Sequence, residues 1–272
     1  MTLAAVAFAT LFAGRLVAYN PRGYDPIAGT SPSMRSIRED ARRLHRRGFR
    51  TVTTYASTSP LVRVCRLFKR YGFTRVLVGI ADPTDDVELA AAARQRRCAD
   101  GYVVGNEGLT FGRYGRDALA AAMARLRANT DRPVTTRETL GEYLQDPTLL
   151  GLGDWVFPNV HPYFAGVTEP AAACAWTIAR YGELRAGTPA SVAVVVAETG
   201  LPTAGATGLN DEAQAAFFEC LEASGIRFVY FEAFDQPWKV TLPVESHWGL
   251  FRADGSPKLW AQTAWRHGGA SR

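Results

Sequence analysis

The sequence predicts an α/β protein built as a single (β/α)8 barrel. Three observations carry this. Eight short apolar runs recur along the 272 residues, amphipathic segments separate most of them, and runs such as "VAVVVA" are apolar on both faces. A strand that is apolar throughout belongs in a parallel sheet covered on both sides, and regular strand–helix alternation over about 250 residues is the pattern of a closed barrel. An open doubly wound sheet usually carries a glycine-rich phosphate turn after its first strand. Here that turn reads "NPRGYDPIAG" and does not match GxGxxG.

In chain order the strand candidates are "RLVAYNP" (15–21), "RTVTTYAS" (50–57), "TRVLVGIA" (74–81) and "YVVGNE" (102–107). They continue with "PVTTRE" (133–138), "WVFPNVHPYF" (155–164), "VAVVVAETG" (192–200) and "RFVYFEAF" (227–234). Between them lie helical patterns such as 116–129, "RDALAAAMARLRAN", and 210–225, which opens on Asn210 as N-cap and stops at Gly225. No low-complexity segment or linker divides the chain, so one domain is expected over 15–272. Residues 1–14, "MTLAAVAFATLFAG", are apolar but too short to span a bilayer. They lack a basic n-region and a clear cleavage site. They read as the remnant of an export signal or anchor, with a capping helix as the alternative.

Composition is that of a globular protein, 47% hydrophobic and 21% charged, with net charge +5. Arginines cluster in "RSIREDARRLHRRGFR" and "ARQRRC". Met34, Ile37, Ala41 and Leu44 recur at helical spacing among them, so the first cluster reads as the solvated face of a helix. No nucleic-acid-binding motif accompanies either cluster, and no nucleic acid is expected as partner. Cys65, Cys98, Cys174 and Cys220 form no CxxC pair, which argues against metal ligation. Each sits in or beside a helical pattern and is expected to be a buried thiol rather than half of a disulfide.

Reactive groups of a barrel come from the C-terminal ends of its strands. Those ends carry Tyr19 and Asn20, Tyr55, Asn106 and Glu107, His161 with Tyr163 and Phe164, Glu198, then Glu232, Asp235 and Trp238. Two glutamates stand out, Glu107 after the fourth strand and Glu198 after the seventh, each directly following an apolar run. Burying a carboxylate is costly unless it is paired or neutral. Paired carboxylates among aromatics suit carbohydrate chemistry: one protonated carboxyl gives a proton to the glycosidic oxygen, and one ionised carboxylate attacks the anomeric carbon or activates water. His161 and His247 have no third ligand at metal spacing and read as hydrogen-bonding residues.

The motifs "VVGNE" and "VVAETGLPTAG" resemble the acid/base and nucleophile motifs of glycoside hydrolase family 17, the β-1,3-glucanases and related glucanosyltransferases. "NVHPYF", "FEAFDQPWK" with "ESHWGLF", "GRLVAYNPRGYDP" and "TVTTYAS" resemble that family's other strand-end segments, over about residues 15 to 260. "EAFDQPWK" is closer to bacterial than to plant members. The resemblance implies a retaining, two-step reaction on β-1,3-glucan with no metal or organic cofactor. It implies Glu107 as general acid/base, Glu198 as nucleophile, Asn106 as partner of the sugar 2-hydroxyl and Tyr163 as the group holding the nucleophile. Tyr19, Tyr55, Phe164 and Trp238 would line sugar subsites, and Lys239 and Glu245 match a nearby polar network. His161, Glu232 and Asp235 join them as substrate-side candidates. Leu201 departs from the family's usual Trp, and Gln236 stands where plant members carry Glu; both bear on subsite preference. A secreted, periplasmic or envelope-associated monomer without a membrane span is expected. Two alternatives remain open: a non-catalytic glucan-binding barrel, which should lack one carboxylate, and a retaining barrel glycosidase acting on mannan or β-1,4-glucan, which would share the "NE" ending. Hydrolysis and transglycosylation are not separated by these motifs.

Overall fold

A computed structural model describes Phe12 and residues 14–262. Most of the apolar segment 1–14, and residues 263–272 of the expected domain, lie outside the described residues. Parallel pairing runs round a closed ring of eight strand positions. Its strands are β1 (Arg15–Ala18), β2 (Phe49–Thr53), β3 (Arg75–Ile80), β4 (Gly101–Val104), β5 (Val134–Thr136), β6 (Glu138–Thr139), β7 (Pro158–Asn159), β8 (Val196–Thr199) and β9 (Phe228–Tyr230). The sheet order β5-β4-β3-β2-β1-β9-β8-β7-β6 closes on itself, because β5 and β6 are two halves of the fifth position, interrupted at Arg137. The expected barrel is the observed one.

The helices are α1 (Met34–Arg46), α2 (Val64–Arg70), α3 (Asp86–Ala93), α4 (Arg116–Thr130), α5 (Leu140–Gln145), α6 (Pro170–Gly187) and α7 (Asp211–Ser224). Ser33 caps α1 by accepting from the Ser36 N–H, and the helix buries Ile37, Ala41 and Leu44 while Arg35, Arg38, Arg42 and Arg46 face outward. This is the solvated-face arrangement read from its periodicity. Asn210 caps α7 and Gly225 ends it in the left-handed region, as the sequence signals predict. The sixth position is shorter than its ten-residue apolar run suggests. Pro158 and Pro162 lack N–H donors, and the strand proper is Pro158–Asn159, preceded by an isolated parallel bridge from Val156 to Val194.

Side chains alternate across each strand. In β1, Leu16 and Ala18 point into the barrel with Leu77, Val103, Phe157, Val195 and Ala197, whereas Val17 and Tyr19 point outward under the helices. Phe12 and Trp155, with ring centroids 5.6 Å apart, plug the base. The filled interior leaves the opposite rim, where the strands end, as the place for a cleft.

The expectation of four free thiols is wrong. Cys65 of α2 is bonded to Cys98, which lies just before β4, and Cys174 of α6 is bonded to Cys220 of α7. The Cα separations are 5.8 and 6.2 Å, within disulfide range. The partners sit on neighbouring strand–helix units, 33 and 46 residues apart, so spacing along the chain gave no sign of the pairing. Among the described residues no helix is long and apolar enough to cross a membrane.

Candidate active site

A cleft of about 950 Å³ opens where the strands end, and both glutamates line it. Glu198 lies within β8, 4% exposed. Gly200 follows two residues later; a Cβ there would stand 2.2 Å from the Phe231 carbonyl oxygen, so only glycine lets this segment lie against its neighbour.

The Glu198 carboxylate is held from two sides. Arg137 Nη1 donates to Oε1 at 3.0 Å, and His161 Nε2 donates to Oε2 at 3.3 Å. Arg137 is 1% exposed; it also donates to the Thr54 carbonyl at 3.0 Å, and its guanidinium lies 4.3 Å from the centre of the Tyr55 ring. The Tyr55 hydroxyl is buried beside the same carboxylate, and burial followed by the Glu198 charge pushes its phenol well above the ordinary value. Burial alone would raise the Glu198 carboxyl. The hydrogen bond from His161 and the Arg137 guanidinium override that and hold it below the usual carboxylate value.

Glu107 is held differently. It is half-buried and adopts a left-handed backbone, φ 55°, which non-glycine residues avoid. The loop around it is pinned. The Glu107 N–H donates to the Arg137 carbonyl at 2.8 Å, and the Gly108 N–H donates to the Tyr114 hydroxyl at 3.0 Å. That hydroxyl donates in turn to buried Glu138 at 2.7 Å, whose other oxygen accepts from the Leu109 N–H. Burial pushes the Glu138 carboxyl up to about 7. Glu107 Oε1 accepts a hydrogen bond from Asn159 Nδ2 at 2.8 Å, and the same amide donates to Asn106 Oδ1 at 3.2 Å. Asn159 pairs with Glu198 in the strand register, so the residue that hydrogen-bonds Glu107 sits on the strand beside Glu198. Burial, then the charge of Glu198, pushes the Glu107 carboxyl above its ordinary value.

The remaining candidates divide. Tyr55, Asn106, His161, Phe164, Trp238, Lys239 and Glu245 line the cleft with the glutamates. Phe164 is 56% exposed, and Trp238 is fixed by its indole N–H donating to Gln236 Oε1 at 3.0 Å. Tyr19 does not line it. Strand parity turns its ring outward beneath α1, where its hydroxyl donates to Asp40 at 2.9 Å; the inward neighbour Asn20 reaches the cleft instead. Asp235 is also misplaced as a substrate-side residue, because it is spent on Lys258 Nζ at 2.7 Å and on the Gly249 N–H at 2.9 Å. Glu232 is wholly buried below the cleft wall and paired with Lys239 Nζ at 2.6 Å; burial lifts its carboxyl to about 7. Tyr163 does not hold the nucleophile. The chain turns into a 3-10 segment at Pro162–Ala165, which leaves the Tyr163 ring edge-on to Trp248 at 5.9 Å.

Arg137, Asn159 and Trp248 escaped the sequence reading as individual residues. Arg137 carried a signal, a cation at the end of the run "PVTTRE". Asn159 and Trp248 lay inside quoted motifs. Leu201 is fully buried in the outer core, and exposed Phe164, backed by the buried Trp248 ring at 6.0 Å, supplies aromatic surface on the cleft wall.

The BtgE/BtgC glycoside hydrolase domain matches residues 17–249. A probable glucan endo-1,3-β-glucosidase of Aspergillus flavus is 28% identical over 215 residues, covering 65% of this chain and 29% of that protein. A probable glucan endo-1,3-β-glucosidase of Aspergillus fumigatus is 30% identical over 187 residues, 56% of this chain and 27% of that one. The chain thus spans under a third of the length of these curated relatives. Among solved structures, an endo-laminarinase from Formosa superposes with a TM-score of 0.74 at 16% identity, over 93% of this chain and 87% of that one. A β-1,3-glucanase of Cryptomeria japonica pollen superposes with a TM-score of 0.66 at 16% identity, over 89% and 97%. At such identities the superpositions establish the common barrel.

Proposed function

The chain belongs to the BtgE/BtgC glycoside hydrolase domain family, and from that premise we propose that it is a retaining glycosidase acting on β-1,3-glucan. The observation that carries this reading is the opposite pull on the two cleft carboxyls, Glu107 upward and Glu198 downward. Such a pair supplies a proton donor and an anionic nucleophile at one pH.

The sugar ring at the scissile bond lies over Glu198, with Asn106 meeting its 2-hydroxyl and the aromatic side chains of Phe164 and Trp238 supporting neighbouring rings. Glu107 gives its proton to the glycosidic oxygen as Glu198 attacks the anomeric carbon, the leaving sugar departs, and a glycosyl ester forms on Glu198. Esterification removes the Glu198 charge. That charge is one of the two causes that raise the Glu107 carboxyl, so its loss makes Glu107 a better-stabilised anion when a base is needed. Glu107 then takes a proton from the incoming water or sugar hydroxyl, which displaces Glu198 and restores the first configuration at the anomeric carbon. Every side chain in this scheme comes from one chain, so the catalytic unit reads as a monomer. Two disulfides favour an oxidising compartment, outside the cytoplasm or in the cell envelope.

Incubation with laminari-oligosaccharides, with products sized by mass spectrometry, tests the substrate and separates hydrolysis from transfer. Shorter or longer β-1,3-linked products are expected. Equal or greater turnover of β-1,4-glucan or mannan would contradict the reading.

A further inference from the structure

The end of the barrel opposite the cleft carries a second chemistry. There α2, α3 and α4 finish and the following strands begin, and two adjoining clefts open in the surface. One is lined chiefly by Arg66, Arg94, Arg96 and Arg97; the other, of about 470 Å³, is lined by Arg66, Arg97, Arg70 and Arg132. Arg66, Arg70, Arg94, Arg96, Arg97 and Arg132 are all exposed. Asp100 is the one carboxylate lining either cleft, and it is already engaged by Lys69 Nζ at 2.6 Å and by the Val76 N–H at 2.7 Å. Among the described residues no carboxylate pairs with any of the six arginines.

Helix C-termini favour a nearby cation, and one or two per helix end would answer that preference. Six guanidinium groups around two touching clefts exceed it and repel one another, a cost that a surface of many negative charges removes. Twenty-eight of the chain's 31 cationic side chains are arginine, and the guanidinium fork matches the paired oxygens of a phosphate. No aromatic side chain lines either cleft, so the stacking platforms that single-stranded nucleic acids use are missing there.

The chain itself enters at this end. Phe12 plugs the base and Arg15 opens β1, and the preceding sequence "MTLAAVAFATL" holds no charged residue. An apolar segment and a polybasic patch each bind bilayers weakly; together they anchor. We propose that the base of the barrel is a membrane-docking face, on which Arg66, Arg70, Arg94, Arg96, Arg97 and Arg132 bind the phosphate headgroups of an anionic bilayer. Docked this way, the cleft points away from the lipid, towards glucan. The face shares no residue with the catalytic cleft, so it stands whether or not the catalytic reading does.

Co-sedimentation of the full chain with vesicles tests this. One set is phosphatidylcholine alone; in the other, phosphatidylglycerol replaces a third of it. Binding to the anionic vesicles is expected to be at least roughly 10-fold tighter and to weaken as salt rises through the physiological range. The combined variant Arg66→Glu, Arg94→Glu, Arg97→Glu should lose roughly 100-fold in affinity for anionic vesicles while cleaving soluble laminari-oligosaccharides like the parent. The corresponding Gln variant serves if charge reversal disturbs folding and should show a smaller loss of the same sign. Equal binding to both vesicle types, or unchanged binding by the variants, would overturn the proposal. So would retention of pyrophosphate or duplex DNA by protein that binds neither vesicle, which would mark a soluble-anion or nucleic-acid site instead.

Discussion

Glu107 and Glu198 leave parallel strands at the same end of the barrel and share a cleft, yet their supports differ in kind. At the β8 side, Glu198 is gripped on both oxygens, by the Arg137 guanidinium on one and by an imidazole N–H of His161 on the other. At the β4 side, Glu107 receives one neutral amide bond, from Asn159, and its backbone is fixed by a hydrogen-bond chain through Tyr114 to Glu138. Burial acts upward on both. What separates them is the hydrogen bond from His161 and the Arg137 guanidinium, both of which act on Glu198. Arg137 contributes to this asymmetry beside His161 and links the two sides, since its side chain serves Glu198 while its carbonyl holds the Glu107 backbone. Removing one glutamate, or the cation that helps distinguish them, should therefore have different and ordered effects.

Glu198→Gln should be the most damaging, with kcat on laminari-oligosaccharides falling by on the order of 10⁵–10⁶, the scale seen when an enzymic nucleophile is removed. It should also lower the Glu107 pKa, because the neighbouring negative charge that helps raise it is gone; carboxyl-carbon NMR titration reads this. An unmoved Glu107 titration would break the electrostatic half of the comparison.

Glu107→Gln should cost roughly 10²–10⁴-fold on unactivated substrates and much less on an aryl glycoside, whose leaving group needs little proton donation. The raised Glu107 carboxyl holds its proton at mildly acidic pH and loses it as pH rises, so the descending alkaline limb of kcat/KM belongs to it. With the aryl donor that limb should vanish in the variant. A persistent limb would assign the proton donor elsewhere.

Much of this comparison was legible before the structure, and the missing parts share a cause. The strand periodicity showed the eight positions, and the apolar runs ending in a carboxylate pointed to Glu107 and Glu198. Contacts made across strands were hidden. The pairing of Arg137 with Glu198, and the placement of Asn159 against Glu107 and beside Glu198, depend on which strands lie side by side and in what register. Tyr19 was misassigned because a strand-end position does not reveal parity when the strand's limits are known only to a residue or two. The disulfides were missed for the related reason that their halves lie on separate helices.

Arg137→Met sharpens the comparison at intermediate size. Without the guanidinium, burial is less opposed and the Glu198 pKa rises. Because Glu198 must be ionised to attack, the ascending acidic limb of kcat/KM should move to higher pH. Breaking a buried ion pair should also cost about 3–5 kcal/mol of stability, so the melting temperature should fall. Arg137→Lys should restore part of the pH shift. An acidic limb at its original pH would remove Arg137 from the account.

Trp238→Ala should have the smallest effect, raising KM for longer oligosaccharides by about 10-fold, equivalent to roughly 1.4 kcal/mol, with kcat and melting temperature little changed. Its half-buried position on the cleft wall motivates this. A large drop in melting temperature with unchanged KM would show that the ring serves packing rather than sugar.

The division of roles between the two glutamates is tested most directly by azide rescue of Glu198→Ala and Glu107→Ala on one β-aryl laminaribioside. In Glu198→Ala the space below the ring is vacant, so azide displaces the aryl group in a single inversion and an α-glycosyl azide is expected. In Glu107→Ala the nucleophile survives and forms its ester. Azide then attacks from the side the acid/base vacated, and the second inversion gives a β-glycosyl azide. Anomeric proton coupling in NMR distinguishes the two. Opposite configurations in that assignment are the predicted result; exchanged configurations, or the same anomer from both variants, would contradict it.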